Sequence, residues 1–398
     1  MKKSKFAPVV VSLAAALGAA GLASCGGGSD GGTGTLRLSL TDAPACGYDN
    51  AWVTVVKVRV HKNAAAPEAD GEWQEVVLPT PQRVDLLTLN NGALLPLGQA
   101  RLPAGRYTQM RLVLAANTAA SPLANAVKPT GGAETALTTP SGQQSGLKMN
   151  IDIDVPADKV ADFAIDFDAC KSFVRAGNSG RILLKPVLQV LPLLSDAGQR
   201  VQGWLDPALA VPGTTVSVQS GGTVVRATPP DATGRFVLYP VPAGTYELVV
   251  TAAGHVNAVM TGVPVVTTGV TTLGSETARL PSAPVSASVF PVTGRFTVNG
   301  SAVDTGGSVR AMQALTGGPT VEVGSANALS NDGTYSLQLP AGAPVKQAYA
   351  AAAATSTWTA DASRAGLFKL EATATGFAAP KSADITLAAA VTADFVFP

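Results

Sequence analysis

Leu147, Met149, Ile151, Ile153 and Val155 alternate with Lys148, Asn150, Asp152 and Asp154, the clearest period-two pattern in the chain. A period of two puts successive side chains on opposite faces of a strand, one apolar and one polar. Leu36, Leu38 and Leu40 follow the same rule, as do Val56, Val58 and Val60 against Lys57, Arg59 and His61. Tyr107 to Leu114 has one apolar face, Phe163, Ile165 and Phe167 stand opposite Asp162, Asp166 and Asp168, and Arg181 to Leu191 closes the set. No long segment carries a helical period, and Asp158 to Asp162 is at most one turn. The pattern predicts an all-β protein built of tandem antiparallel β-sandwiches.

Composition agrees with many short strands. The 41 Gly and 28 Pro, set among abundant Val, Thr and Ala, supply tight turns between them. Hydrophobic residues at 46% against 14% charged give enough apolar surface to fill cores and exclude wholesale disorder. A length of 398 residues implies two or three domains. A formal net charge of +1 gives no electrostatic reason to expect a nucleic-acid partner.

The N-terminus changes the picture. Lys2, Lys3 and Lys5 precede an uncharged apolar segment, Phe6 to Ala20, which is the pattern of a secretory signal peptide over residues 1–24. The segment runs into Leu22, Ala23, Ser24 and Cys25, and this resembles the lipobox of bacterial lipoproteins. The resemblance implies cleavage before Cys25 and a covalent lipid on its thiol, hence a membrane partner through the anchor. Residues 25–34 then form a glycine-rich tether. Gly26 in the place of Asp favours the outer membrane, with the protein facing the periplasm or the cell surface. A plain secretory signal with Cys25 left as a stray thiol is the alternative. With Cys25 lipidated, Cys46 and Cys170 remain and are expected to form a disulfide, which an exporting compartment permits.

Residues 35–194 form the first predicted domain. L-R-L-S-L-T-D-A-P (36–44), W-V-T-V-V-K-V-R-V-H (52–61), L-P-A-G-R-Y-T-Q-M-R-L-V-L (102–114), I-D-F-D-A-C-K-S-F-V (165–174) and L-L-K-P-V-L (183–188) carry a resemblance. It is to a domain-of-unknown-function family of bacterial lipoproteins, and it implies an exported β domain with no known activity. The remainder contains a repeat. V-Q-G-W-L (201–205) with D-A-T-G-R-F-V-L-Y-P-V-P-A-G-T-Y-E-L-V-V (231–250) parallels V-T-G-R-F (292–296) with N-D-G-T-Y-S-L-Q-L-P-A-G (331–342). G-L-F-K-L-E-A-T-A-T-G-F (366–377) continues the second copy. Both copies resemble the carboxypeptidase regulatory-like domain, a transthyretin-like β-sandwich. The resemblance places such domains at 199–280 and 290–398, the second interrupted by an Ala-rich insertion at 343–365. The segments near 195–200 and 281–288 are expected to be exposed linkers that few contacts cross.

The inventory of chemistry is short. His61 and His255 fall in different domains, so a two-His zinc site is not expected. His61 is expected at the surface and His255 in a packing role. No nucleophile elbow, S-x-x-K signature or P-loop occurs. Asp152, Asp154, Asp166 and Asp168 are the candidate metal cluster: each pair projects from one strand face, and if the two strands pair, four carboxylates converge on a Ca²⁺ ion or a hydrolytic site. Solvated or structural carboxylates on an outer face are the favoured reading, so no cofactor and no enzyme activity are expected. Trp73 and Trp358 lie in polar surroundings and are the candidate platforms for stacking a glycan, whereas Trp52 and Trp204 read as core. The function expected is a lipid-anchored binding or structural module of the cell envelope, partnered by a glycan or another envelope protein. A carbohydrate-binding lipoprotein is the alternative, and a hydrolase built on the acidic cluster a distant one.

Overall fold

Seven strands, joined in one order, recur three times along the chain. The computed structural model describes residues 32–42, 47–139, 145–176, 180–194, 198–302, 306–351 and 357–398. The first set is β1 (Thr33–Asp42), β2 (Tyr48–His61), β3 (Gln74–Asp85), β4 (Leu95–Pro103), β5 (Gly105–Leu114), β6 (Leu147–Val155) and β7 (Val160–Phe167). The second is β8 (Arg200–Trp204), β9 (Thr215–Ser220), β10 (Thr223–Thr228), β11 (Arg235–Leu238), β12 (Gly244–Thr251), β13 (Ala258–Val265) and β14 (Val270–Leu273). The third is β15 (Val289–Val298), β16 (Ser308–Ala314), β17 (Thr320–Asn327), β18 (Thr334–Pro340), β19 (Leu367–Thr373), β20 (Lys381–Thr386) and β21 (Phe395–Phe397). Strands outside these sets are named by their residues.

In each set the first strand lies between the fourth, antiparallel, and the seventh, parallel: β4-β1-β7, β11-β8-β14 and β18-β15-β21. The other sheet runs third, second, fifth, sixth, all antiparallel: β3-β2-β5-β6, β10-β9-β12-β13 and β17-β16-β19-β20. The expected all-β fold is present, and the repeat extends to the first unit as well. Its sequence trace is the turn P-A-G-x-Y. Tyr107 donates its hydroxyl proton to the Pro103 carbonyl (2.8 Å), and Tyr246 does the same to Pro242 (2.7 Å). Each bond ties the fifth strand back to the turn that starts it.

Gly203 and Gly294 occupy equivalent places on β8 and β15. A Cβ at Gly203 would meet the Phe236 ring and sit 2.8 Å from the Leu273 carbonyl oxygen, and one at Gly294 would overlap the Ala393 carbonyl oxygen. The inward aromatics Phe236 and Tyr335 need that space. Gly234 and Gly333, both at positive φ, turn the chain just before them.

Three hydrophobic cores fill the sandwiches, one spanning Leu36 to Leu184, one Val201 to Ala283 and one Val292 to Phe397. The second and third cores trade residues. Val345 packs in the second, while Val249 and Val259 pack in the third. The Ala-rich stretch expected as a free insertion supplies Val345. Its Val345–Ala348 strand pairs in parallel with β13, and Thr359–Ala360 pairs with it in turn. Leu248, Val249 and Val250 are all at most 2% exposed, so β12 buries both faces, one within its unit and one against the next.

The expectation of sparse contacts at 281–288 is therefore not met. Leu280 and Ala283 are buried, and the Pro281 carbonyl accepts the Trp358 indole N–H at 2.7 Å. Val256 N–H donates to the Pro284 carbonyl and Ser286 N–H to that of Gly254. At the earlier junction Gln199 is fully buried, its N–H on the Val266 carbonyl and its side-chain oxygen accepting from Leu194 N–H.

Candidate functional site

β10 carries Arg226 out of the second unit and into the first. The side chain is 1% exposed. One guanidinium nitrogen pairs with the Asp166 carboxylate on β7, and the other donates to Thr41 Oγ1 (2.6 Å) and to the Asp42 carbonyl oxygen (2.9 Å) on β1. Thr41 and Asp166 face each other in the parallel register of β1 and β7, so one guanidinium closes over both strands. Removing either charge would leave the other buried without a partner, which is far costlier than never having had the pair.

Below this pair the chain makes a short turn of helix, α1 (Ala169–Ser172), capped by Asp168, whose Oδ1 accepts the Lys171 N–H at 3.0 Å. Asp42 is fully buried: Oδ1 accepts the Ala169 N–H at 3.0 Å, and Oδ2 has no hydrogen-bond partner among the described residues. Burial pushes the Asp42 carboxyl well above the usual carboxylate range. The Ala169 N–H pulls against this, and the nearby Asp166 and Asp168 add to it. Burial likewise raises Asp168, against the pull of Lys171. Cys170 in α1 is disulfide-bonded. Cys46 and the lipidation candidate Cys25 lie outside the described residues.

The third unit completes the junction. Lys171 Nζ lies 3.1 Å from Glu322 Oε1 on β17; burial works against its ammonium, but Glu322 and Asp168 outweigh that and raise it. Asn327 donates to the Lys171 carbonyl at 2.7 Å. Gln219 of β9 donates to the Glu322 carbonyl and accepts the Glu322 N–H, both at 2.8 Å, so one side-chain amide stands in for a neighbouring strand. Arg310 on β16 holds Glu371 at 2.6 Å and donates to the Gly222 carbonyl at 3.0 Å. Most of these groups, contributed by all three units, line a cleft of about 310 Å³. Its carboxylates are held by cations or backbone donors, an arrangement suited to sealing an interface or holding a polar ligand rather than to moving protons.

The four candidate aspartates do not converge. β6 and β7 lie in different sheets, β6 beside β5 and β7 between β1 and the Leu188–Pro192 strand. Asp152 is bound at the surface by Arg106 (2.6 and 2.9 Å), and Asp154 is exposed on the same strand. Asp166 is buried and Asp168 half-buried, because the second and third units cover that face. The outward alternation was correct as a strand pattern and silent about what lay outside it.

The tryptophans do not divide as expected. Trp73 is only 8% exposed, its indole N–H on the Pro67 carbonyl and its ring flanked by the Arg59 and Arg111 guanidinium groups at 4.8 and 4.7 Å. Trp358 is half-buried against the second core. Neither is an open platform. Trp52 and Trp204, expected in the core, are half-buried, and Arg83 lies over the Trp52 ring at 4.4 Å. His61 is 2% exposed rather than at the surface, because the excursion between β2 and β3 folds Trp73 over it, ring to ring at 5.0 Å. His255 is half-buried and bridges to Val285.

Among the described residues, His61, Asp70 and Glu72 bring potential metal-ligand atoms within 4.8 Å of one another. The imidazole is committed otherwise. Nδ1 accepts the Asn63 N–H at 2.9 Å, so the ring proton sits on Nε2, which faces Asp70 Oδ1 at 3.3 Å in poor hydrogen-bond alignment. A nitrogen that carries a proton has no lone pair for a metal.

Arg226, Gln219 and Lys171 were not singled out by the sequence pattern. The only signals were an arginine inside T-V-V-R-A-T and an apolar run with no polar face in E-L-V-V.

No curated protein matches the sequence. Among solved structures, a chain of a cohesin–X-dockerin complex from Acetivibrio cellulolyticus is 24% identical over 21% of this chain and 56% of its own, with a TM-score of 0.18. The chain therefore spans little more than half of that relative. The TIE protein of Bacillus anthracis is 10% identical over 92% of this chain and 51% of its own (TM-score 0.19). BcpA, the major pilin subunit of Bacillus cereus, is 11% identical over 92% and 99% (TM-score 0.16). Overlaps this slight carry no functional inference. Residues 33–186, which hold β1 to β7, α1 and the Asp42–Asp166–Asp168 group, match the family model of a domain of unknown function, DUF4382.

Proposed function

We propose that this chain is a lipid-anchored module of the cell envelope that binds or supports a partner rather than transforming one. The observation that carries this reading is the burial of Arg226 across the first junction, against Asp166 and Thr41. A chain that shields a charge pair between units fixes their relative orientation, which suits a scaffold presenting a surface at a set distance from a membrane. The units proposed are 35–194, 199–280 and 290–398. The signal-like segment and Leu22-Ala23-Ser24-Cys25 support the anchor, and Gly26 supports the outer membrane.

Fractionation of cells expressing wild type and Cys25→Ala tests the anchor. Wild type should sediment with membranes and the variant should not, with both melting at the same temperature, since Cys25 precedes the first predicted domain in the sequence. A Cys25→Ala protein that stays with the membrane at wild-type levels contradicts the lipid anchor.

A further inference from the structure

We infer that the cleft where the three units meet binds a neutral saccharide of one or two rings. This extends the binding-module reading and does not depend on the lipid anchor. At about 310 Å³ the space falls at the small end of ligand sites, roughly 300–1,000 Å³, and junctions between units are where such sites concentrate.

The ligand class follows from the charges. Asp166, Asp168, Glu322 and Glu371 line the cleft with Lys171, Arg226 and Arg310, and Lys369 holds Glu371 at 3.0 Å from beside it, so four carboxylates meet four cations. They neutralise one another almost completely, and a ligand bringing its own charge would leave one charge uncompensated in a space partly withdrawn from water. Hydroxyl groups suit it better. Each both donates and accepts, so a polyol can bridge the Lys171–Glu322 and Arg310–Glu371 pairs without altering the balance, through charge-assisted bonds. Ser325 and Asn327 add neutral donors and acceptors at the same wall. Val187, 37% exposed within the cleft, offers an apolar strip for the C–H face of a ring. Among the described residues no aromatic side chain lines the space, so the affinity expected is in the millimolar range.

The test is saturation-transfer NMR on the full-length chain in detergent. The probes are glucose, N-acetylglucosamine and maltose, with charged glucosamine and glucuronate as counterparts. At least one neutral sugar should give signals that the charged pair does not. Ser325→Phe and Thr223→Trp each place a ring in the cleft from an exposed strand position and should abolish them. Both leave the Arg226 pair intact, so loss of sugar is read separately from loss of the junction. Either variant that melts with wild type decides the location. Sugar-dependent protection of β7, β10 and β17 in hydrogen exchange decides it without any variant. Silence from every neutral sugar at tens of millimolar, better binding of a charged sugar, signals that survive a filled cleft, or protection elsewhere would each overturn the proposal.

Discussion

Arg226 is the residue on which the junction turns. Arg226→Met keeps the stem and removes the charge, leaving Asp166 buried opposite nothing. Truncating one member of a buried pair costs about 3–5 kcal/mol. Arg226→Met should therefore lower the unfolding free energy by that much, seen as a lower urea midpoint at unchanged slope, and adding Asp166→Asn should restore part of it, because the orphaned charge goes too. Urea titrations of the two single variants and the double read the coupling directly. A second prediction concerns acid. Burial works against the Asp361 charge, but the Thr316 N–H and hydroxyl, Lys346 and Ser363 outweigh it and hold the carboxyl at about 2. A folded-state value below the unfolded one gives stability that is complete above the unfolded value, about 4, and lost as the pH falls toward 2. Wild type should exceed Asp361→Asn in unfolding midpoint at pH 6, with the gap closing by pH 2. A gap that stays constant over that range would contradict the assignment. None of these partners was legible in the sequence. Asp166 alternates with Ile165 and Phe167 as an outward residue would, and a neighbour 60 residues away makes the outside an inside.

Among the elements, the strands themselves were legible. β6 alternates buried and exposed as its letters predict, with Ile151 half-buried. The turns were legible as well, since Pro-Ala-Gly and the glycines at positive φ leave the chain few alternatives. The failures fall where a strand serves two units. Val345–Ala348 is four residues in an Ala-rich stretch, too short to show a period, and its partner β13 belongs to another unit. Val345→Pro removes the N–H that donates to the Asn257 carbonyl (2.8 Å) and disturbs a buried side chain. It should destabilise by roughly 3 kcal/mol, and β13 should lose exchange protection along with the third unit. Protection of β13 unchanged by Val345→Pro would show that the graft carries no weight. The third copy of the fold escaped detection because period two fixes faces and not pairing order, and the first unit shares only the P-A-G-x-Y turn with the second.

For the whole molecule, three sandwiches of one topology are joined by buried polar contacts rather than by free linkers. Gln219 reads the backbone of Glu322, Asn257 donates to Gln313 at 2.7 Å, and Asn91 accepts the Val237 N–H at 3.0 Å. Buried polar groups are costly when parted, so these contacts should make the units unfold together rather than in sequence. That cooperativity underlies both the scaffold reading and the cleft, which exists only while all three units are docked. Hydrogen exchange in rising urea, followed separately in β7, β10 and β17, tests it most directly. The three strands should lose protection at one urea concentration, and Arg226→Met should separate the first unit from the other two. If one unit of the wild-type protein opens at lower urea while the others stay protected, the units are independent and the joined body is wrong.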